Sequence, residues 1–115
     1  MTTERRADPR QRVANPYLVH VLSPDGRLLG IAVPEEVSAG GALLLGSRPW
    51  PPGTALALEP QRPHPLAGRP LGFRVTRCEP LPGGGYAVAG VFAPRLDDQD
   101  VQALAGGGAG PAATP

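Results

Sequence analysis

Short apolar runs, separated by turn-forming residues, fill the central part of the chain. Six of these runs have the alternation or the β-branched and aromatic content that is typical of strands. They lie at residues 17–22, 27–33, 42–45, 54–59, 73–79 and 86–92. Turn-forming segments separate several of them, namely SPDG at 23–26, WPPG at 50–53 and LPGGG at 81–85. The pattern predicts six β-strands, and the prolines of residues 61–70 predict a surface loop before the fifth strand.

One short helix is predicted after the last strand. Asp97 is a suitable N-cap for residues 98–105, Val101 and Leu104 would share one face, and Gly106 would end the helix. These elements favour an all-β fold, a six-stranded antiparallel β-barrel with a short C-terminal α-helix. Closure is favoured because it pairs the edges that a small open sheet would leave exposed. We expect the helix to close one end of the barrel with Val101 and Leu104.

Composition divides the chain into three parts. The sequence is rich in glycine and proline, with 16 of each in 115 residues, yet its net charge of +1 and its content of Leu, Val, Ile and Phe favour a folded centre. Residues 1–12 are rich in arginine and have no apolar periodicity, and residues 106–115 contain almost only Gly, Ala and Pro. We predict a flexible arginine-rich arm at 1–12, a barrel with its helix at 13–105 and a disordered tail at 106–115.

Little in the sequence favours catalysis. All 11 basic residues are arginines, which excludes a Walker A phosphate loop and every lysine-dependent catalyst. Ser38 or Cys78 could pair with His20 or His64 as nucleophile and base, but no nucleophile-elbow motif surrounds Ser38, and structural or solvent-exposed roles are favoured for the histidines. Two histidines and one cysteine at these spacings do not predict a zinc site. We expect no enzyme, no catalytic residue, no metal and no cofactor.

The single cysteine and the terminal sequence bear on location. Cys78 has no partner for an internal disulfide, as is usual in the reducing cytosol, and is expected to be a small buried hydrophobic residue. The first twelve residues lack the apolar core of a signal peptide, and the longest uncharged apolar stretch, around residues 42–46, is far too short to span a membrane. We expect a cytoplasmic protein without membrane insertion.

The arginine-rich arm carries the most informative chemistry. A guanidinium group binds phosphate oxygens bidentately, offers two parallel donors to the guanine edge and stacks on flat bases. Arg6 and Arg10 therefore suit an anionic, guanine-bearing ligand, although composition alone favours a terminus that is merely solubilising. General nucleic-acid binding is disfavoured by the small net charge, the 4% aromatic content and the lack of a basic stripe on the predicted strands beyond Arg74 and Arg77.

Two motifs together give the chain a family resemblance. Residues 4–10 (ERRADPR) contain Arg6-x-x-x-Arg10, and residues 36–41 (EVSAGG) are similar to the signature (Asp/Asn)-x-Ser-x-x-Gly, with Glu36 at its first position. The apolar residues that follow, the WPPG turn, the FRVTRC and YAVAGVF strands and the terminal helix agree with the same pattern. Over about residues 4–105 the chain resembles a PilZ domain, although either motif alone is unspecific.

The resemblance implies a fold, a ligand and a site. PilZ domains are six-stranded antiparallel barrels with a helix, found in bacteria, and they commonly bind the second messenger cyclic di-GMP. By this resemblance the arginines would clamp guanine edges and phosphates, and the second motif would complete the site on the barrel surface, with Gly41 letting the backbone turn and the ligand approach. The ligand-binding residues so implied are Arg5, Arg6, Arg10, Glu36, Ser38, Gly40 and Gly41.

The expected function is that of a non-enzymatic cyclic di-GMP receptor. Its arm would close over the ligand and alter a surface that binds an unidentified protein partner, and the protein would be a monomer or a weak dimer. The alternative is a degenerate PilZ domain that does not bind cyclic di-GMP and acts as a protein–protein interaction adaptor in motility or pilus regulation. It arises because Glu36 carries one methylene more than Asp, which displaces the carboxylate and adds rotamer entropy.

Overall fold

A computed structural model describes residues 9–107, in which seven strands and one helix form the regular structure. The strands are β1 (Gln11–Arg12), β2 (Val19–Leu22), β3 (Leu28–Val37), β4 (Gly41–Gly46), β5 (Ala55–Pro60), β6 (Leu71–Pro80) and β7 (Tyr86–Phe92), and the helix is α1 (Asp98–Gly106). The order β3-β2-β5-β6-β7-β4 is closed by pairing between β3 and β4. The predicted six-stranded antiparallel barrel with a short C-terminal helix is confirmed.

The barrel interior is filled by residues that alternate along the strands. Buried and more exposed positions alternate through β2 and β5, as expected where successive side chains point to opposite faces. Phe73 and Phe92 pack edge to face inside the barrel, with ring centroids 5.5 Å apart. The most deeply buried residues include Val19, Val21, Val37, Leu44, Val75 and Val88.

Helix α1 begins and ends as its sequence predicts. The Asp97 carboxylate caps it by accepting a hydrogen bond from the Asp100 N–H at 2.8 Å. Val101 and Leu104 are buried, and Leu104 lines the same internal space as core residues of the barrel, so α1 closes one end. The helix includes Gly106, one residue past the predicted end. Across residues 9–107, no helix has the length and apolar character that crossing a membrane requires.

Two side chains hold α1 against the barrel. Arg69 makes a two-pronged ion pair with Asp100, with N···O distances of 2.9 and 2.7 Å. The Tyr17 hydroxyl donates to the Leu104 carbonyl at 2.9 Å, and its ring packs against His64 at a centroid distance of 4.3 Å. Residues 61–70, predicted as a surface loop, therefore also anchor the helix, because the loop carries both Arg69 and the buried His64.

The segment that follows β1 is bonded to the last turn of α1. The Ala14 N–H donates to the Ala105 carbonyl at 2.8 Å, and the Asn15 side-chain amide donates to the Gly106 carbonyl at 3.0 Å. The beginning and the end of the described chain thus meet at one place on the barrel.

Trp50 covers the opposite end of the barrel. Its buried ring lies over Gly30 and Gly46, where an added Cβ would come within 3.1 Å and 2.9 Å of the ring. Glycine at these two strand positions lets the indole approach the backbone, which explains how one tryptophan covers this end.

Two differences from the sequence prediction alter the region of the second motif. β3 continues through Pro34 to Val37, with a register shift between Pro34 and Glu36, so Glu36 lies in a strand rather than in a loop. β1 was not predicted, because two residues are too few to show a hydrophobic period. It pairs Gln11 with Val37 and Arg12 with Glu36, so the end of the predicted arm is attached to the barrel.

Candidate functional site

A groove with a volume of about 490 Å³ lies on the outside of the barrel, and we call it the outer groove. Arg10 and Glu36 form one wall, next to β1, and Thr76 and Arg77 of β6 form the opposite wall. The floor between them is apolar and consists of Leu43, Ala89 and Val91. The groove therefore combines cationic edges with an apolar base.

Strand register explains why these residues meet. One row of directly paired residues crosses five strands, in the order Arg12, Glu36, Leu43, Ala89 and Arg77. Directly paired residues of antiparallel strands lie on the same face of the sheet. Adjacent strands are about 4.8 Å apart, so the row extends about 19 Å along the barrel surface. It has a cation at each end and apolar residues at its centre.

Glu36 is held between two arginines at the first wall. Its carboxylate lies 3.5 Å from Nη1 of Arg10 and 3.9 Å from Nη1 of Arg12. The arginine side chains are 64% and 76% exposed, whereas that of Glu36 is 27% exposed. Ion pairs this exposed contribute little to stability, because water screens them and both side chains lose freedom. Arg10 can therefore exchange Glu36 for another anion at small cost.

Ser38 and Gly41 close the tight turn between β3 and β4. The Ser38 N–H donates to the Gly41 carbonyl at 2.9 Å, and the Gly41 N–H donates to the Ser38 hydroxyl at 3.2 Å. The Gly40 carbonyl accepts from the Phe92 N–H at 2.9 Å, which ties the turn to the end of β7. The Ser38 hydroxyl is thus already used in shaping the turn, with lone-pair capacity remaining.

Gly41 is needed for close packing between strands. A Cβ at this position would overlap the carbonyl oxygen of Gly90 in β7, directly beneath the groove. The resemblance assigned Gly41 to backbone turning and ligand approach. The backbone of Gly41 does not adopt a positive φ, so the turn itself does not require glycine, whereas the close approach of β4 to β7 does.

The structure brings together the site residues that it describes. Arg5 and Arg6 lie outside the described residues. The others, Arg10, Glu36, Ser38, Gly40 and Gly41, all line the outer groove. Sequence reasoning did not include the β6 wall or the apolar floor in the site. A register shift between Val75 and Arg77 sets the position of that wall, and the sequence carries no signal for it.

The residues first weighed for catalysis or metal binding lie elsewhere or have structural partners. Within residues 9–107, no group of three His, Cys, Asp or Glu side chains is placed to hold a metal ion. His64 is buried beneath α1, where its Nδ1 accepts from the Leu66 N–H at 3.0 Å. Burial lowers the pKa of His64, and the carbonyl of Ala103 partly offsets this. Cys78 is half-buried and packs against the core.

This chain is similar to known proteins in its three-dimensional structure. No protein-family model matches the sequence, and no curated protein matches it either. The solved structure of the Bacillus subtilis inhibitor of motility (MotI/DgrA) aligns with a TM-score of 0.61 and 19% identity over 89% of this chain. The K. pneumonia MrkH–c-di-GMP complex aligns with a TM-score of 0.56 and 17% identity over 87% of it. Both are PilZ-domain proteins. This chain has a PilZ-like fold.

The PilZ-like barrel spans about half of the proteins that it resembles. This chain covers 48% of the length of each of the two solved chains. In the PilZ-like barrel, the outer groove lies across β3, β4, β7 and β6, with the β3–β4 turn at one end.

Proposed function

We propose that this protein is a non-enzymatic receptor for cyclic di-GMP, and that the ligand binds in the outer groove. One observation carries the proposal, which is that the groove joins Arg10 of the first motif to Glu36, Ser38 and Gly41 of the second. Guanidinium groups bind phosphates and the O6 and N7 edge of guanine. The carboxylate of Glu36 and the hydroxyl of Ser38 are acceptors for guanine N–H groups.

The apolar floor and a similar structure support the same ligand class. Leu43, Ala89 and Val91 offer an apolar surface on which the flat face of a base loses contact with water, and Val91 is 43% exposed. MrkH, which has the same fold, was solved in complex with c-di-GMP. Together these observations favour a cyclic dinucleotide over a simple anion such as phosphate.

We further propose that the arginine-rich arm, up to its attachment at β1, closes over the bound ligand in the bacterial cytoplasm. Arg5 and Arg6 would then join Arg10 at the first wall, and charge-assisted contacts would offset the entropy of ordering the arm. Closure would change the surface around the groove and thereby the binding of a protein partner. Because MotI is an inhibitor of motility, motility is the process in which we would look for that partner first.

One observation favours the adaptor alternative. Glu36 already pairs with Arg10 and Arg12, so part of the positive charge at the first wall is balanced within the protein, and a protein partner could be recognised without any nucleotide. Because both arginines are largely exposed, these ion pairs are weak competitors for a doubly charged ligand. The receptor is therefore the better-supported function.

Calorimetric titration of cyclic di-GMP into the purified protein tests the choice between the two. We expect saturable binding in the micromolar range or tighter, with no comparable heat from GMP at the same concentrations. A flat titration at high protein concentration would contradict the receptor and leave the adaptor, whose partner would then be sought directly.

Substitution of Arg10 tests the first wall. We expect Arg10→Ala to lose at least about tenfold in affinity, because a charge-assisted contact to phosphate or guanine contributes about 1.5–3 kcal/mol. The matched control is Arg27→Ala, which removes one exposed arginine from the β2–β3 turn, away from the groove. Equal affinity of the Arg10 and Arg27 variants would contradict the assignment of Arg10 to the site.

A further inference from the structure

Arg77 faces the first wall across the outer groove, although neither sequence motif contains it. It stands at the end of the row that begins with Arg12 and Glu36, and three strand spacings separate it from Glu36, about 14 Å along the surface. Its side chain is 66% exposed and lines the groove. The groove therefore has guanidinium groups on both sides, with apolar residues between them.

A β-bulge in β6 fixes the position of this second wall. The register shifts between Val75, opposite Gly90, and Arg77, opposite Ala89, so Thr76 is the extra residue. The Thr76 hydroxyl donates to the Ala89 carbonyl at 3.2 Å, which secures the bulge against β7. Bulges re-aim the side chains beside them, and here both Thr76 and Arg77 line the groove.

The ion pair that Arg77 makes leaves its guanidinium available. Nε lies 3.7 Å from a carboxylate oxygen of Glu79, which is too long for a hydrogen bond, and the Glu79 side chain is 65% exposed. Such a pair is weak. The edge formed by the two Nη nitrogens can bind a phosphate bidentately, and the contact with Glu79 does not use it.

We propose that Arg77 is a second anion-binding residue of the site and holds a phosphate of the ligand from the β6 side. Cyclic di-GMP has two phosphates in one ring, so the ligand can accept hydrogen bonds from guanidinium groups on both sides of the groove. With Arg10 and Arg77 on opposite walls, each phosphate has a guanidinium and the base lies on the floor between them. This inference rests on the proposed function, because the ligand is the same.

The test compares two variants of the second wall with the unaltered protein in titrations with cyclic di-GMP. Arg77→Ala is expected to lose about tenfold in affinity, as a lost charge-assisted contact would. Glu79→Gln is expected to change the affinity by less than about threefold, because its ion pair with Arg77 is weak and does not use the edge that would hold the phosphate. Arg27→Ala is the control for the loss of one positive charge. Unchanged thermal unfolding is expected for all three, since each side chain is exposed.

The control separates a contact from a general effect of charge. Arg77→Ala and Arg27→Ala each remove one exposed positive charge, so only a contact between Arg77 and the ligand makes the loss in Arg77→Ala the larger one. Binding by the unaltered protein with equal affinities for Arg77→Ala and Arg27→Ala would overturn the inference and leave the proposed function intact. No binding by the unaltered protein would overturn both.

Discussion

The residues of the second motif have different tasks in the described structure. Ser38 fixes the β3–β4 turn, and Gly41 lets β4 approach β7, whereas Glu36 extends its carboxylate into the groove toward two arginines. Shape and chemistry are thus divided among three residues of one short motif. A loss of binding in a Ser38 or Gly41 variant consequently reports on the fold of the site before it reports on a ligand contact.

Gly41→Ala tests this division. The added methyl would overlap the Gly90 carbonyl, so we expect the free energy of unfolding to fall by about 1–3 kcal/mol, the usual cost of overpacking. Urea denaturation measures it. Gly83→Ala is the control, because nothing lies within 4 Å of an added Cβ at that position. Equal stability of the two variants would mean that β4 and β7 separate at little cost.

The sequence predicted one wall of the candidate site and not the other. Both motifs contain polar or glycine residues at recognisable spacings, and the described residues of both line the groove. In the sequence, nothing distinguishes Arg77 from any other arginine of a predicted strand. Its position follows from a bulge and from pairing with a strand that is distant in sequence, and neither leaves a local pattern.

At the scale of elements, α1 depends on side chains at its first turn as well as on its buried face. The Asp97 cap and the Arg69–Asp100 ion pair both act there, close to where the loop between β5 and β6 crosses the helix. The cap satisfies a backbone N–H that has no partner within the helix.

Asp97→Ala is expected to lower the free energy of unfolding by about 1 kcal/mol, because the Asp100 N–H loses its acceptor. In a domain of this size that corresponds to a fall of about 4–8 °C in Tm. Gln99→Ala, at an exposed position one residue into the helix, is the control, and its Tm should change little. Equal Tm values for Asp97→Ala and Gln99→Ala would show that packing alone holds the helix.

The strands were predictable to different degrees. β2 and β5 to β7 follow from alternation and from the turns that bound them, since local sequence specifies both. The extension of β3 past Pro34 was not predictable, because a proline inside a run normally marks its end and only the register shift accommodates it. β1 depends wholly on its partner, Glu36 and Val37 of β3.

For the whole molecule, the buried His64 links stability to pH. Burial lowers its pKa in the folded protein below the ordinary value of about 6.5, so the unfolded chain binds more protons in mildly acidic solution. Stability that is present above pH 6.5 is therefore lost as the pH falls toward the folded-state pKa. Protonation of Nδ1 also removes the acceptor for the Leu66 N–H within the loop, beside the contact of the His64 ring with Tyr17.

We expect the free energy of unfolding to decrease between pH 7.5 and 5.5, and His64→Gln to reduce that decrease. Glutamine keeps an acceptor but does not titrate, which makes it a suitable replacement. Denaturant titrations at several pH values measure the slope. An identical slope in the variant would mean that other groups carry the pH dependence.

The hydrogen bonds from Ala14 to Ala105 and from Asn15 to Gly106 bring the segment after β1 next to the end of α1. A glycine-rich linker could therefore run from the residues that follow α1 to the start of the arginine-rich segment, and new termini could be opened at Gly83, in the exposed turn between β6 and β7. In such a circular permutant the arginine-rich segment becomes an internal loop, tethered on both sides. The charge of the segment would be unchanged, but its position would be restrained at both ends. Comparing the ligand affinity of the permutant with that of the unaltered protein would therefore separate the effect of the segment's charge from the effect of its free end.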